Sequence, residues 1–282
     1  MPMSRFWSSV WTVAGFLLLL SLLQGLADRV VLLFGLLPWV VPGVATWVVG
    51  VSHAVVPIWG ALTYVDWRWG WKSDNAGLRT TPAAWFWLLP GLAGGLALAG
   101  VGFLVSAWGR TPQPILAPEP LLQAALAAVA LFGVELIFRG ILISRFEQDL
   151  SDQEVLILAL AAPVVWGLIA PLLQEMFMLG TVYPAISGPG TLALSVLLSL
   201  LFLQTQSVWL VGGVHIGLDL GRRLLGLTYS EGALFLACAV PVAVLLWMEL
   251  SRTRRIRRPG PWGGSRKRVV YGKTIRGPWG MH

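Results

Sequence analysis

Apolar residues in this chain neither alternate nor cluster at short spacings; they run on. A helix needs about 20 apolar residues to cross a bilayer. Runs near that length fall at roughly 7–27, 43–65, 83–108, 120–143, 155–179, 191–205, 208–227 and 232–250. The sixth is short for a span. Residues 30–42 form a further apolar piece, interrupted by Pro38 and Pro42, which suits an interfacial or re-entrant segment. The pattern therefore predicts an all-α polytopic membrane bundle of about eight transmembrane helices. Gly25-Leu26-Ala27 places small residues where a signal peptidase could cut, but the long apolar run favours a retained first span. No lipidation or address motif is visible.

Composition supports the same class. Of 282 residues, 56% are hydrophobic and only 12% charged, about half the charged share of a soluble domain. That excludes a soluble globular enzyme. The net charge of +7 is unevenly placed: residues 251–282 hold ten Lys or Arg and no acidic residue, while residues 1–250 hold ten basic and thirteen acidic ones. Residues 1–250 are thus expected to be the transmembrane domain, and 251–282 a disordered basic tail with Gly-Pro-Trp-Gly at 260–263 and 277–280. Lys and Arg concentrate on the cytoplasmic side of membrane proteins, so Arg252, Arg254, Arg255, Arg257 and Arg258 place the tail in the cytoplasm. Eight spans then put Arg5, Arg68, Lys72, Arg79 and Arg145 on the same side, with Arg222 and Arg223 the one conflict. The expected partner of the tail is anionic lipid, at about 1 kcal/mol per basic residue near the surface; nucleic acid is not expected. The single cysteine, Cys238, excludes an intrachain disulfide or a Cys-rich metal site.

Charges inside apolar spans are costly unless paired or set in a polar cavity, so they mark functional positions. Glu135 and Arg139 lie four apart on the fourth span, within reach on one helix face. His215 and Asp219 repeat that spacing on the seventh, where the aspartate could fix the imidazole tautomer. Each pair could be a self-neutralising latch, but two in one body favour a shared polar cavity. Gly212, Gly213, Gly217 and Gly221 would let neighbouring backbones approach His215 closely. His53 reads as an interfacial histidine, and Gln174 and Glu175 as water-facing residues at the end of the fifth span.

These residues carry a resemblance. Val134-Glu135-Leu136-Ile137-Phe138-Arg139-Gly140 resembles the Glu-Glu-x-x-x-Arg motif of the CPBP (or Abi) family, which includes the type II CAAX prenyl proteases and bacteriocin-processing membrane peptidases. Thr205-Gln206-Ser207-Val208-Trp209, followed by His215-x-x-x-Asp219, is similar to the last motif of that family. Trp166-Gly167-Leu168-Ile169-Ala170 sits where the family has Phe-x-x-x-His. The similar region is a core of about residues 76–225.

The resemblance implies peptide hydrolysis near the membrane face. It assigns water activation to the first Glu of the doublet and the middle-motif His, and oxyanion stabilisation to the last-motif His and Asn or Asp. Here the first Glu is Val134 and the middle His is Ala170, whereas Glu135, Arg139, His215 and Asp219 retain catalytic motif positions. Removing one general base costs about 10²–10⁴-fold in rate. The leading expectation is a catalytically degenerate homologue that binds or scaffolds a membrane peptide or protein. An alternative is an active endopeptidase with a reassigned site of Glu135, His215 and Asp219. Position 135 is turned about 100° from 134 on an α-helix, so reassignment would need a shift or a π-bulge. A transporter is the third reading, although no inverted repeat supports it. No cofactor is implied, and no metal, because catalytic zinc sites usually take a second histidine.

Overall fold

A computed structural model describes residues 3–35, 42–70, 85–108, 121–177 and 188–257. Regular structure within them is helical throughout: α1 (Met3–Gly35), α2 (Pro42–Trp69), α3 (Leu88–Ala107), α4 (Leu121–Glu135), a π-helix (Leu136–Ile143), α5 (Ser144–Asp149), α6 (Asp152–Phe177), α7 (Pro189–Thr205), α8 (Val208–Leu224) and α9 (Glu231–Arg257). Because α4, the π-helix and α5 follow without a break, the described residues form eight helical rods. Each overlaps one of the expected apolar runs. Four stretches are long and apolar enough to cross a membrane by length and composition: Val10–Ala27, Leu88–Ala107, Gln123–Glu147 and Glu231–Ser251. The protein is a helical membrane bundle.

Local chemistry sets several helix ends. Ser151 precedes α6, and Glu154 Oε2 accepts from its backbone N–H at 2.9 Å and its hydroxyl at 2.6 Å, which satisfies a helix-start donor. Pro189 opens α7 with a preset φ. Ser207 caps α8, its hydroxyl accepting from the N–H of Leu210 at 3.3 Å. Only Gln206 and Ser207 separate α7 from α8. Gln206 ends α7 in the left-handed conformation, with φ of 53°.

Two expectations need correction. Residues 30–35 are not a separate interfacial piece: they extend α1, and Pro42 begins α2, while 36–41 lie outside the described residues. The last helix also passes the expected boundary at 250, so residues 251–257 of the basic segment are helical rather than disordered. Residues 258–282 lie outside the described set.

The closest helix pairing is between α3 and α8. A Cβ added to Gly95 would run into the carbonyl oxygen of Val214, and one added to Gly217 into that of Leu92. Gly91 abuts Leu210 and Gly213 in the same way, and Gly221 meets Ala99. Contacts that advance together along both helices mean that α3 and α8 run parallel. Small residues allow such backbone contact in a membrane, where apolar packing against lipid gains little. Elsewhere α9 packs on α7, α1 on α2, and α4 on both α2 and α8.

Candidate functional site

The eight-residue π-helix begins directly after Glu135 and is buried along its whole length. Bonding from i to i+5 widens each turn, and such segments within α-helices concentrate at functional sites. Glu135 is the last α-helical residue before it and is fully buried, with 0% exposure. Val134, one position earlier, is only partly buried and packs against the apolar core.

Three elements supply partners to the Glu135 carboxylate and its neighbour. From the π-helix, Arg139 Nη1 donates to Oε1 at 3.3 Å and lies 3.1 Å from Oε2. From α8, His215 Nδ1 stands 2.7 Å from Oε1. From α7, Ser195 accepts twice from Arg139 Nη2, through its carbonyl oxygen at 2.9 Å and its hydroxyl at 2.8 Å. Arg139 is 3% exposed, and the His215 side chain retains 16%. A carboxylate facing an arginine must accept from the imidazole, so Nδ1 carries the hydrogen and Nε2 is left for other work. Among the described residues Nε2 has no hydrogen-bond partner.

This arrangement corrects one expected pair. Asp219 does not orient His215; its Oδ2 accepts from Arg223 Nε at 2.6 Å. Spacing of four puts His215 and Asp219 on one face of α8, but packing turns the imidazole toward α4 and leaves the aspartate to a basic residue in the last turn. The same contact gives an acidic partner to Arg223, one of the two basic residues at odds with the expected orientation. Arg222 is exposed at the end of α8. So Glu135, Arg139 and His215 come together, and Asp219 forms a separate pair.

Ala170 lies on α6. The side chains of His53, Trp166, Ala170, Gln174 and Glu175 lie outside the described set. Ser195 was missed by the motif reading. Its only sequence signal is a hydroxyl within the leucine-rich stretch 192–203, one turn before Ser199.

A second set of polar contacts ties the α7–α8 turn to its neighbours. Gln206 donates to Glu147 Oε1 of α5 at 2.9 Å, and Gln204 donates to Glu249 Oε2 of α9 at 2.6 Å. Glu147 belongs to the same rod as Glu135, so the rod and the α7–α8 pair are joined at two levels. Among the described residues no group of three His, Cys, Asp or Glu side chains could hold a metal ion.

Residues 116–221 match a family model described as Rce1-like, type II CAAX prenyl endopeptidase. The matched segment contains Glu135, Arg139, Ser195, His215 and Asp219. It supports assignment to the CPBP/CAAX-protease-like family, as the motifs implied. No curated protein and no solved structure matches the chain.

Proposed function

We propose that this CAAX-protease-like membrane protein uses the family's scaffold to hold a membrane-embedded peptide or protein segment, without efficient hydrolysis. The observation that carries this reading is the commitment of Glu135. It is the one carboxylate left in the Glu-Glu-x-x-x-Arg motif, and Arg139 and His215 already share it at full burial. Hydrolysis needs a base that can take a proton from water. The two positions to which the family resemblance assigns that work hold Val134 and Ala170, neither of which has a proton acceptor. What survives is a buried acceptor–donor set that can orient a bound chain but not deprotonate water efficiently. We further propose that the C-terminus is cytoplasmic and that its ten basic residues contact anionic lipid.

The test is capture and cleavage measured on one sample. A fluorescent membrane-anchored peptide is added to the purified protein in nanodiscs, and binding and peptide integrity are followed together. Saturable binding of intact peptide is the expected result. Cleavage that is abolished by Glu135→Ala overturns the reading.

One contact favours a second reading, an endopeptidase with a reassigned site. An imidazole held by a carboxylate through Nδ1, with Nε2 unengaged, is also how a general base is oriented. In that case His215 would activate water, and the oxyanion would fall to Arg139 or to backbone amides.

A further inference from the structure

Ser195 belongs to none of the motifs, yet it is where the polar chain ends. Its two oxygens accept from the same nitrogen of Arg139, at 2.9 and 2.8 Å. A guanidinium is planar, with its donors in a fixed fork. Holding Nη2 at two points therefore fixes where Nη1 points. Nη1 is the nitrogen that meets Glu135, 3.1 Å from Oε2 and 3.3 Å from Oε1. Glu135 Oε1 in turn receives His215 Nδ1 at 2.7 Å. Four side chains on α7, the π-helix, α4 and α8 thus form one line of contacts.

We propose that Ser195 is a positioning residue for His215, acting through Arg139 and Glu135. Apart from Glu135 itself, nothing else among the described residues holds the guanidinium: Arg139 Nε has no hydrogen-bond partner, and the Phe138 ring, 5.9 Å from the guanidinium carbon, gives attraction without direction. Without the Ser195 hydroxyl, Nη2 keeps a single bond to the backbone carbonyl, about which the guanidinium can pivot. Glu135 then loses a fixed partner, and the imidazole loses its fixed carboxylate. The helices remain packed, because the carbonyl bond and the apolar contacts of α7 survive. This inference deepens the proposed function and rests on its reading of Glu135 and His215 as the retained heart of the site. It concerns orientation, so it holds for a site that binds and for one that cleaves.

The experiment is nuclear magnetic resonance of the protein with ¹⁵N-labelled histidine in detergent micelles, His215 being assigned among the three histidines by His215→Gln. The wild type is expected to show a sharp, downfield Nδ1 proton signal. Glu135→Gln, with a neutral acceptor, moves it upfield. Ser195→Ala broadens it at least twofold while the melting temperature stays within a few degrees, and Ser195→Thr restores it. If Ser195→Ala does not fold, the isosteric pair Ser195→Thr and Ser195→Val makes the same comparison, with the signal sharp in the first and broadened in the second. An unchanged signal in the variant lacking the hydroxyl overturns the proposal. So does an unchanged signal in Glu135→Gln, which breaks the chain at its second link. A signal that follows Ser195 in a protein that also cleaves peptide leaves this inference standing and removes the non-hydrolytic reading instead.

Discussion

Glu135 Oε1 and His215 Nδ1 stand 2.7 Å apart, although eighty residues separate them in sequence. The contact joins the two motifs that carry the family resemblance into one group. It also gives Glu135 a structural duty, since a fully buried carboxylate must be paired to be tolerated. The consequences can be measured.

Glu135 and Arg139 are expected to be coupled. Removing one member of a buried ion pair leaves the other uncompensated and costs about 3–5 kcal/mol, whereas replacing both by apolar residues costs far less. Glu135→Ala and Arg139→Leu should each destabilise strongly, and the double variant by clearly less than their sum. Unfolding titrations in mixed micelles, read as a double-mutant cycle, check this. Additive effects would show that the pair is not a unit.

Close packing of α3 on α8 places His215, so filling it should disturb both stability and site. Gly95→Ala and Gly217→Ala each drive a methyl into a backbone carbonyl, and overpacking of this kind costs about 1–3 kcal/mol. Gly100→Ala and Gly232→Ala meet nothing within 4 Å. In an exposed helix, Ala in place of Gly stabilises by up to about 1 kcal/mol. Melting temperatures of the four variants should therefore split by sign.

Tyr229, in the connection between α8 and α9, should give a signature at alkaline pH. Burial pushes its phenol up to about 12, helped by the nearby Asp219 and Glu231 and opposed by Arg222. An unfolded tyrosine ionises near 10. Between those values the folded state holds the proton that the unfolded state has lost, so stability falls as pH rises. The contribution is complete below about pH 10 and lost on approaching 12. The stability difference between wild type and Tyr229→Phe should shrink over that window and stay constant below it, with phenolate absorbance confirming the late titration.

Much of the fold was legible because bilayer thickness imposes a run length that needs no partner to be read. Glu135–Arg139 was legible for a similar reason, since both residues share one rod and one face. His215 shows where such reasoning ends. Spacing within α8 nominates Asp219, but the crossing of α8 over α4 supplies Glu135, and Arg223 takes the aspartate. A crossing depends on two helices at once, and so does the value of Ser195, whose hydroxyl matters only because Arg139 lies opposite. The glycines at 213 and 217 announced a close approach but not that α3 would make it. The π-helix was a named option that no residue in the stretch demanded.

Under the proposed function, the scaffold is intact and lacks only the two groups that would activate water, Val134 and Ala170 standing in their places. The most direct measurement is the initial rate of membrane-peptide cleavage by wild type and by the double variant Val134→Glu with Ala170→His, at matched fold and matched peptide binding. Wild-type cleavage indistinguishable from background, and a gain of about 10²-fold or more on restoring both groups, is the predicted result. A wild type that already cleaves, depends on His215 and gains nothing from the restoration would contradict it.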